Sequence, residues 1–216
     1  MKKNNQAVLG LDLAGVPHRP TGACLLEDGV ARTKLLYKDE EILDYARETR
    51  PVLIAVDAPL NLPPGRRSMA DRNGSHYRNC DLELRRRKIP FFPITLGPMR
   101  KLTERGIRLK RRLETQGFRV VEIYPGGAQD IWNIPRAKRS REGLRKGLAR
   151  QGVKGLTRSA SEHELDAATG ALVGWLYLTG RAEVLGDFRS GAILVPNTCK
   201  DNKGDGWRGA SPRPPA

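Results

Sequence analysis

The chain has 216 residues, enough for one domain with a substantial core or at most two small ones. Hydrophobic residues make up 38% and aromatics only 6%, a composition that excludes a disordered chain and points to an aliphatic core. Thirty-nine lysines and arginines against 24 aspartates and glutamates give a net charge of +15, far from the balance of an ordinary enzyme, and a polyanion, DNA or RNA, is the natural partner.

Residues 7–13 (AVLGLDL) form an apolar run that ends on an acid and is bounded by Gly15 and Pro17, the pattern of a buried strand. Residues 21–27 (TGACLLE) and 30–37 predict two more strands, joined at the hairpin pair Asp28 and Gly29. Residues 39–49 carry Ile42, Leu43 and Ala46 at helical spacing, with acids early and Arg47 late, as the helix dipole favours. Pro51 ends that helix, and residues 52–56 (VLIAV) form another buried strand that finishes on Asp57. Strand, hairpin, helix and strand in that order imply a mixed sheet with a parallel crossover.

Residues 61–98 are rich in proline, glycine and arginine and show little periodicity, which predicts an insertion or lid beside a site. A basic helix follows over residues 98–116, then a fifth strand over residues 118–124 (FRVVEIY). Residues 136–158 are basic and partly helical, and residues 161–178 give the clearest helix, opened by a capping box of Ser161 and Glu164. The expected organisation is one domain over residues 1–200 and a mobile Gly/Pro/Arg tail over residues 201–216. The basic start has no apolar signal core behind it, because Asp12 interrupts the only candidate, and no run reaches the roughly 18 apolar residues of a membrane span. Cys24, Cys80 and Cys199 are odd in number and without metal-type spacing, so reduced thiols and a cytoplasmic location are expected.

Asp12, Asp57 and Glu122 each lie at or near the C-terminal end of an apolar strand, where open α/β sheets place their ligand crevice. A lone acid there is ordinarily a turn former or helix cap, but three on separate strands of so basic a chain argue for a shared task. His163 and Asp166, spaced i and i+3, project from one side of the first turn of the late helix and can reach the same crevice. Carboxylates of this kind suit Mg²⁺ or Mn²⁺, Mn²⁺ tolerating the imidazole better. Two such ions about 4 Å apart activate water and stabilise the leaving oxygen in hydrolysis of a phosphodiester.

The order of elements and acids resembles the RNase H-like superfamily, and within it the Holliday-junction resolvases, whose acids occupy the first strand, the fourth strand and a late helix. The segments GLDLAG, AVDAPL, CDLELRRRKIPFFP, EIYPGGAQD and HELDAATGA are similar to a domain-of-unknown-function family described as predicted RNase H-like nucleases. The resemblance implies a five-stranded mixed sheet flanked by helices, a nuclease active on DNA or RNA, branched forms included, and Asp12, Asp57 and Asp166 as metal ligands, with Glu122 and His163 completing the catalytic set. Position 57 holds Asp where resolvases carry the longer Glu, so either Asp57 or Glu122 completes the site. A dimer is compatible with this reading. Two alternatives stand beside it: an actin-like ATPase or small-molecule kinase, since GLDLAG followed by Thr21 and Gly22 resembles a phosphate-binding hairpin, and a non-catalytic nucleic-acid-binding module.

Arg85, Arg86, Arg87 and Lys88, together with Arg108, Lys110 and Arg111, are the expected phosphate contacts, although such clusters are commonly solvated faces. Tyr77, Phe91, Phe92 and Trp132 lie among basic residues and can stack on unpaired bases, with core packing the expected fate of Phe91 and Phe92. Gly126 and Gly127 suit a tight turn or a phosphate-facing backbone equally.

Overall fold

The computed structural model describes residues 6–197; Cys199 and the expected tail lie outside the described residues. The chain runs β1 (Val8–Asp12), β2 (Thr21–Glu27), β3 (Val30–Leu36), α1 (Asp39–Thr49), β4 (Leu53–Asp57), α2 (Asn79–Arg86), α3 (Gly97–Glu114), β5 (Val120–Ile123), α4 (Pro125–Ile131), α5 (Arg141–Arg150), α6 (Glu162–Leu178), β6 (Ala182–Asp187) and β7 (Gly191–Pro196). The strands join one sheet in the order β3-β2-β1-β4-β5-β7-β6. β1 to β3 form an antiparallel meander, β1, β4, β5 and β7 run parallel, and β6 returns antiparallel on β7.

This is the α/β mixed sheet flanked by helices that the sequence predicts, an antiparallel meander followed by parallel strands, widened from five strands to seven. The two added strands have six residues each. β6 alternates poorly between buried and exposed positions, and β7 is a uniformly buried run, so neither carries the period of two that marks a half-buried strand.

The pleat divides the sheet into two faces. Val8, Leu53, Ala55, Val121 and Ile123 pack with residues of α5 and α6 on one side. Leu9, Leu11, Ile54, Val56 and Val120 pack with α1 and α3 on the other. The residues of α6 that meet the sheet are small, and two glycines of the sheet complete the fit. A Cβ on Gly10 would lie 2.0 Å from the Ala167 carbonyl oxygen, and one on Gly22 would lie 2.0 Å from that of His163. Only glycine at these positions lets the first turns of α6 settle directly onto β1 and β2.

The segment expected to be an insertion without regular structure contains α2 and is anchored. Cys80 and Leu84, one helical turn apart, pack on Leu185, Ile193 and Val195 of the β6–β7 hairpin. Arg78, at the N-cap of α2, is buried and binds both Asp81 and Glu122. Eight residues with five polar side chains give too short an apolar stripe for the helix to be read from periodicity. Gly126 and Gly127 belong to the first turn of α4, a helix that begins at Pro125, which corrects the tight-turn reading. Cys24 and Cys80 are buried free thiols. Among the described residues no helix is long and apolar enough to cross a membrane.

Candidate active site

β1 and β4 place Asp12 and Asp57 directly opposite each other, as register partners at the C-terminal ends of adjacent parallel strands. Neighbouring strands lie about 4.8 Å apart, so the two carboxylates leave the same face side by side. That face is the one covered by α6, whose first turns bring His163 and Asp166 over it. His163 Nδ1 and Asp12 Oδ2 are 2.7 Å apart. Asp166 Oδ1 accepts a hydrogen bond of 2.7 Å from Gln129 Nε2 of α4, and the same amide also reaches Thr169 Oγ1 at 3.1 Å, so α4 fixes the orientation of Asp166.

The electrostatics follow from this crowding. Burial, and then the charges of Asp12 and Asp166, push the Asp57 carboxyl well above the usual carboxylate range. Burial and Asp12 raise Asp166 to about 7, against the partial relief of the Gln129 hydrogen bond. His163 is raised as well, which for a base favours its charged form, because its ring nitrogen bonds Asp12. Among the described residues, no hydrogen bond or ion pair engages Asp57, the second oxygen of Asp12 or the second oxygen of Asp166. Four carboxylate oxygens are thus left without a donor in a crevice where their charges oppose one another.

Hard, unengaged oxygens of this kind fit Mg²⁺ or Mn²⁺ in chemistry and charge. Among the described residues, no group of three or more His, Cys, Asp and Glu side chains already stands as a set of metal ligands.

Glu122 is the one predicted acid that the structure sets apart. Its register partner on β4 is Val56, not Asp57. Because side chains alternate, Glu122 projects from the α1/α3 face, opposite to Asp12 and Asp57. There it accepts bonds from Arg78 Nη1 (2.6 Å), Arg78 Nη2 (2.8 Å) and the backbone N–H of Leu60 (2.8 Å). Burial still raises its carboxyl above the usual range, with the Arg78 guanidinium opposing. Asp57, with Asp12 beside it, is the acid on the face of His163 and Asp166; Glu122 ties α2 and the turn after β4 to the sheet.

The predicted basic residues divide as well. Arg86 pairs with Glu83 at 2.5 Å and Arg87 with Glu183 at 2.5 Å. Arg85 and Lys88 instead line a depression with Tyr77 and Phe91. Arg108 stands 3.9 Å from Asp39 and Lys110 3.9 Å from Glu114; with Arg111 they occupy later turns of α3, away from the end of the helix that meets the crevice. Phe92 is 73% exposed, contrary to the expectation of core packing, because the prolines on either side, Pro90 and Pro93, keep the segment irregular and only Phe91 turns inward. Trp132 packs against the α6 core, and its indole N–H has no partner among the described residues. Sequence reasoning missed Gln129 and Arg78. Gln129 lies within EIYPGGAQD and was visible there only as part of a motif.

The sheet order, the α6 crossing and the acids at the ends of β1 and β4 define an α/β protein with a mixed sheet and an acidic crevice. The chain belongs to the family described as "Protein of unknown function (DUF429)", whose model matches residues 10–189. No curated protein matches it in sequence. Among solved structures it is similar to "T. thermophilus RuvC in complex with Holliday junction substrate", with 13% identity and a TM-score of 0.46 over 77% of this chain and 91% of that one. It is also similar to "Thermus thermophilus RuvC structure", with 12% identity and a TM-score of 0.45 over 87% of this chain and 99% of that one.

Proposed function

We propose that this chain is a metal-dependent nuclease that hydrolyses phosphodiester bonds of nucleic acid at the crevice of Asp12, Asp57 and Asp166. The observation that carries the reading is the in-register Asp12–Asp57 pair, faced by Asp166 and His163, the three carboxylates together holding four oxygens without donors. Divalent ions bound there would supply a water of lowered pKa and charge stabilisation at the phosphate. Asp12, Asp57 and Asp166 would hold them, with Mg²⁺ or Mn²⁺ the fitting elements. Gln129 keeps Asp166 aimed at the crevice. His163, half exposed and bonded to Asp12, orients that carboxylate and holds a proton at the edge of the site. The net positive charge of the chain favours nucleic acid as the partner.

The test is cleavage of end-labelled single strands, duplexes, RNA–DNA hybrids and four-way junctions with Mg²⁺ or Mn²⁺. Cleavage that disappears in Asp12→Asn and Asp57→Asn, with folding retained by circular dichroism, supports the reading. A panel left intact by the folded wild-type protein refutes it.

A further inference from the structure

Three depressions share their walls, the middle one bordering each of the other two. The middle one is lined by Phe91, Phe92, Met99, Leu102 and Tyr124, with Asp57 and the Arg78, Asp81 and Glu122 cluster also on its wall. Phe91 is also the wall of a second depression, which contains Tyr77, Arg85 and Lys88. Met99 and Leu102 are also the wall of a third, which contains Gly15, Arg19 and Lys101. The trough is therefore largely apolar and aromatic at its centre, around Asp57 and the mutually paired Arg78, Asp81 and Glu122, and cationic at both ends.

The cations at the ends are not spoken for. Among the described residues Arg19, Lys101, Arg85 and Lys88 form no ion pair, whereas Arg86 and Arg87, on the same helix end, pair with Glu83 and Glu183. The Arg85 guanidinium stands 6.0 Å over the Tyr77 ring, and Tyr77 meets Phe91 edge to face at 6.1 Å. Phe92, 73% exposed, leaves a large aromatic face uncovered beside Asp57. An occupant that matches this surface carries repeated negative charge and flat apolar groups free to leave their own stack. A duplex keeps its bases stacked inside, whereas an unpaired strand offers both features at once.

We infer that the trough is a track for an unpaired polynucleotide strand, which sets its phosphates on Arg85/Lys88 and Arg19/Lys101 and stacks a base on Phe92 next to Asp57. The inference rests on the nuclease reading for its central phosphate and names the substrate class of that site: single-stranded or locally unpaired nucleic acid.

Binding measured in EDTA, where no cleavage occurs, tests it apart from catalysis. Fluorescence anisotropy would compare labelled twelve-nucleotide oligo-dT and oligo-U with a blunt twelve-base-pair duplex. At least one of the two single strands should bind ten times or more tighter than the duplex, the better of the two identifying DNA or RNA. Phe92→Ala, a change at an exposed position, should weaken that strand fivefold or more, as loss of one base–aromatic stack does. Arg85→Ala/Lys88→Ala and Arg19→Ala/Lys101→Ala should each lower the salt slope of single-strand binding by about 1.4, and Arg86→Ala/Arg87→Ala should leave it unchanged. Equal or tighter binding of the duplex, no binding of either strand, or an unchanged affinity in Phe92→Ala overturns the inference. Strands that bind in this pattern but stay uncut with Mg²⁺ and Mn²⁺ refute the hydrolytic reading alone; a duplex that is cut and bound as well as the strands refutes the track alone.

Discussion

Replacing Asp166 by Asn tests the electrostatics of the crevice most directly. The folded protein holds this carboxyl at about 7, against its ordinary 3.8. Between those values the folded chain binds more protons than the unfolded one, so stability falls as pH rises through the window and levels off above it. From pH 5.5 to pH 8.5 the unfolded carboxyl is ionised throughout, while the folded one loses its proton near 7. The destabilisation that accumulates is about 2 kcal/mol, at 1.36 kcal/mol per pH unit. For a chain of this size that is a fall of about 4–8 °C in Tm. Asn keeps an oxygen to accept the Gln129 hydrogen bond and carries no charge. Thermal melts in EDTA should therefore show the wild type losing about 2 kcal/mol more than Asp166→Asn between the two pH values. Added Mg²⁺ at pH 8.5 should restore the wild type and leave the variant unmoved. Parallel pH profiles for the two proteins, or a variant less stable than wild type at pH 8.5, would refute the claim that the carboxylates oppose one another.

Three further outcomes follow from named contacts. Gly10→Ala forces a Cβ against the α6 backbone and should destabilise by about 3 kcal/mol in urea titrations; an effect below about 1 kcal/mol would show that α6 can shift without cost. Arg78→Ala leaves Glu122 and Asp81 buried without their counter-ion and should cost about 3–5 kcal/mol, loosening α2 first, as hydrogen exchange over residues 79–86 would report. The His163 imidazolium is stabilised by Asp12, so its NMR titration midpoint should lie above 6.5 and return toward it in Asp12→Asn. The contribution of that pair to stability is present below about 6.5 and disappears as pH rises through the raised midpoint.

The parts of the fold legible in the sequence are those fixed by neighbours in the chain. The first strand, the hairpin at Asp28 and Gly29 and the helix opened by Ser161 and Glu164 all carry local signals. The capping box is present as read, with Ser161 Oγ accepting from the Glu164 N–H and Glu164 Oε2 accepting from the Ser161 N–H. What the sequence leaves open is the face of the sheet on which an acid falls. Glu122 and Asp57 occupy adjacent strands, and a register offset of one residue sends their side chains to opposite sides. That offset depends on how β5 docks on β4, a tertiary fact with no signature in FRVVEIY. The β6–β7 hairpin and α2 are mutually dependent in the same way: Cys80 and Leu84 have an apolar surface to meet only once Leu185 and Ile193 are in place.

The contact between His163 and Asp12 joins residues 151 positions apart, and this has a consequence for the order in which the protein is made. A chain growing from its N-terminus completes β1 and β4 early, with the strip over Gly10 and Gly22 still bare. The helix that brings His163 and Asp166 is synthesised only after most of the sheet exists, and β7, which closes the sheet against β5, comes later still. Whatever chemistry the crevice performs is thus withheld from the nascent polypeptide and begins only when nearly the whole described chain has been released to fold.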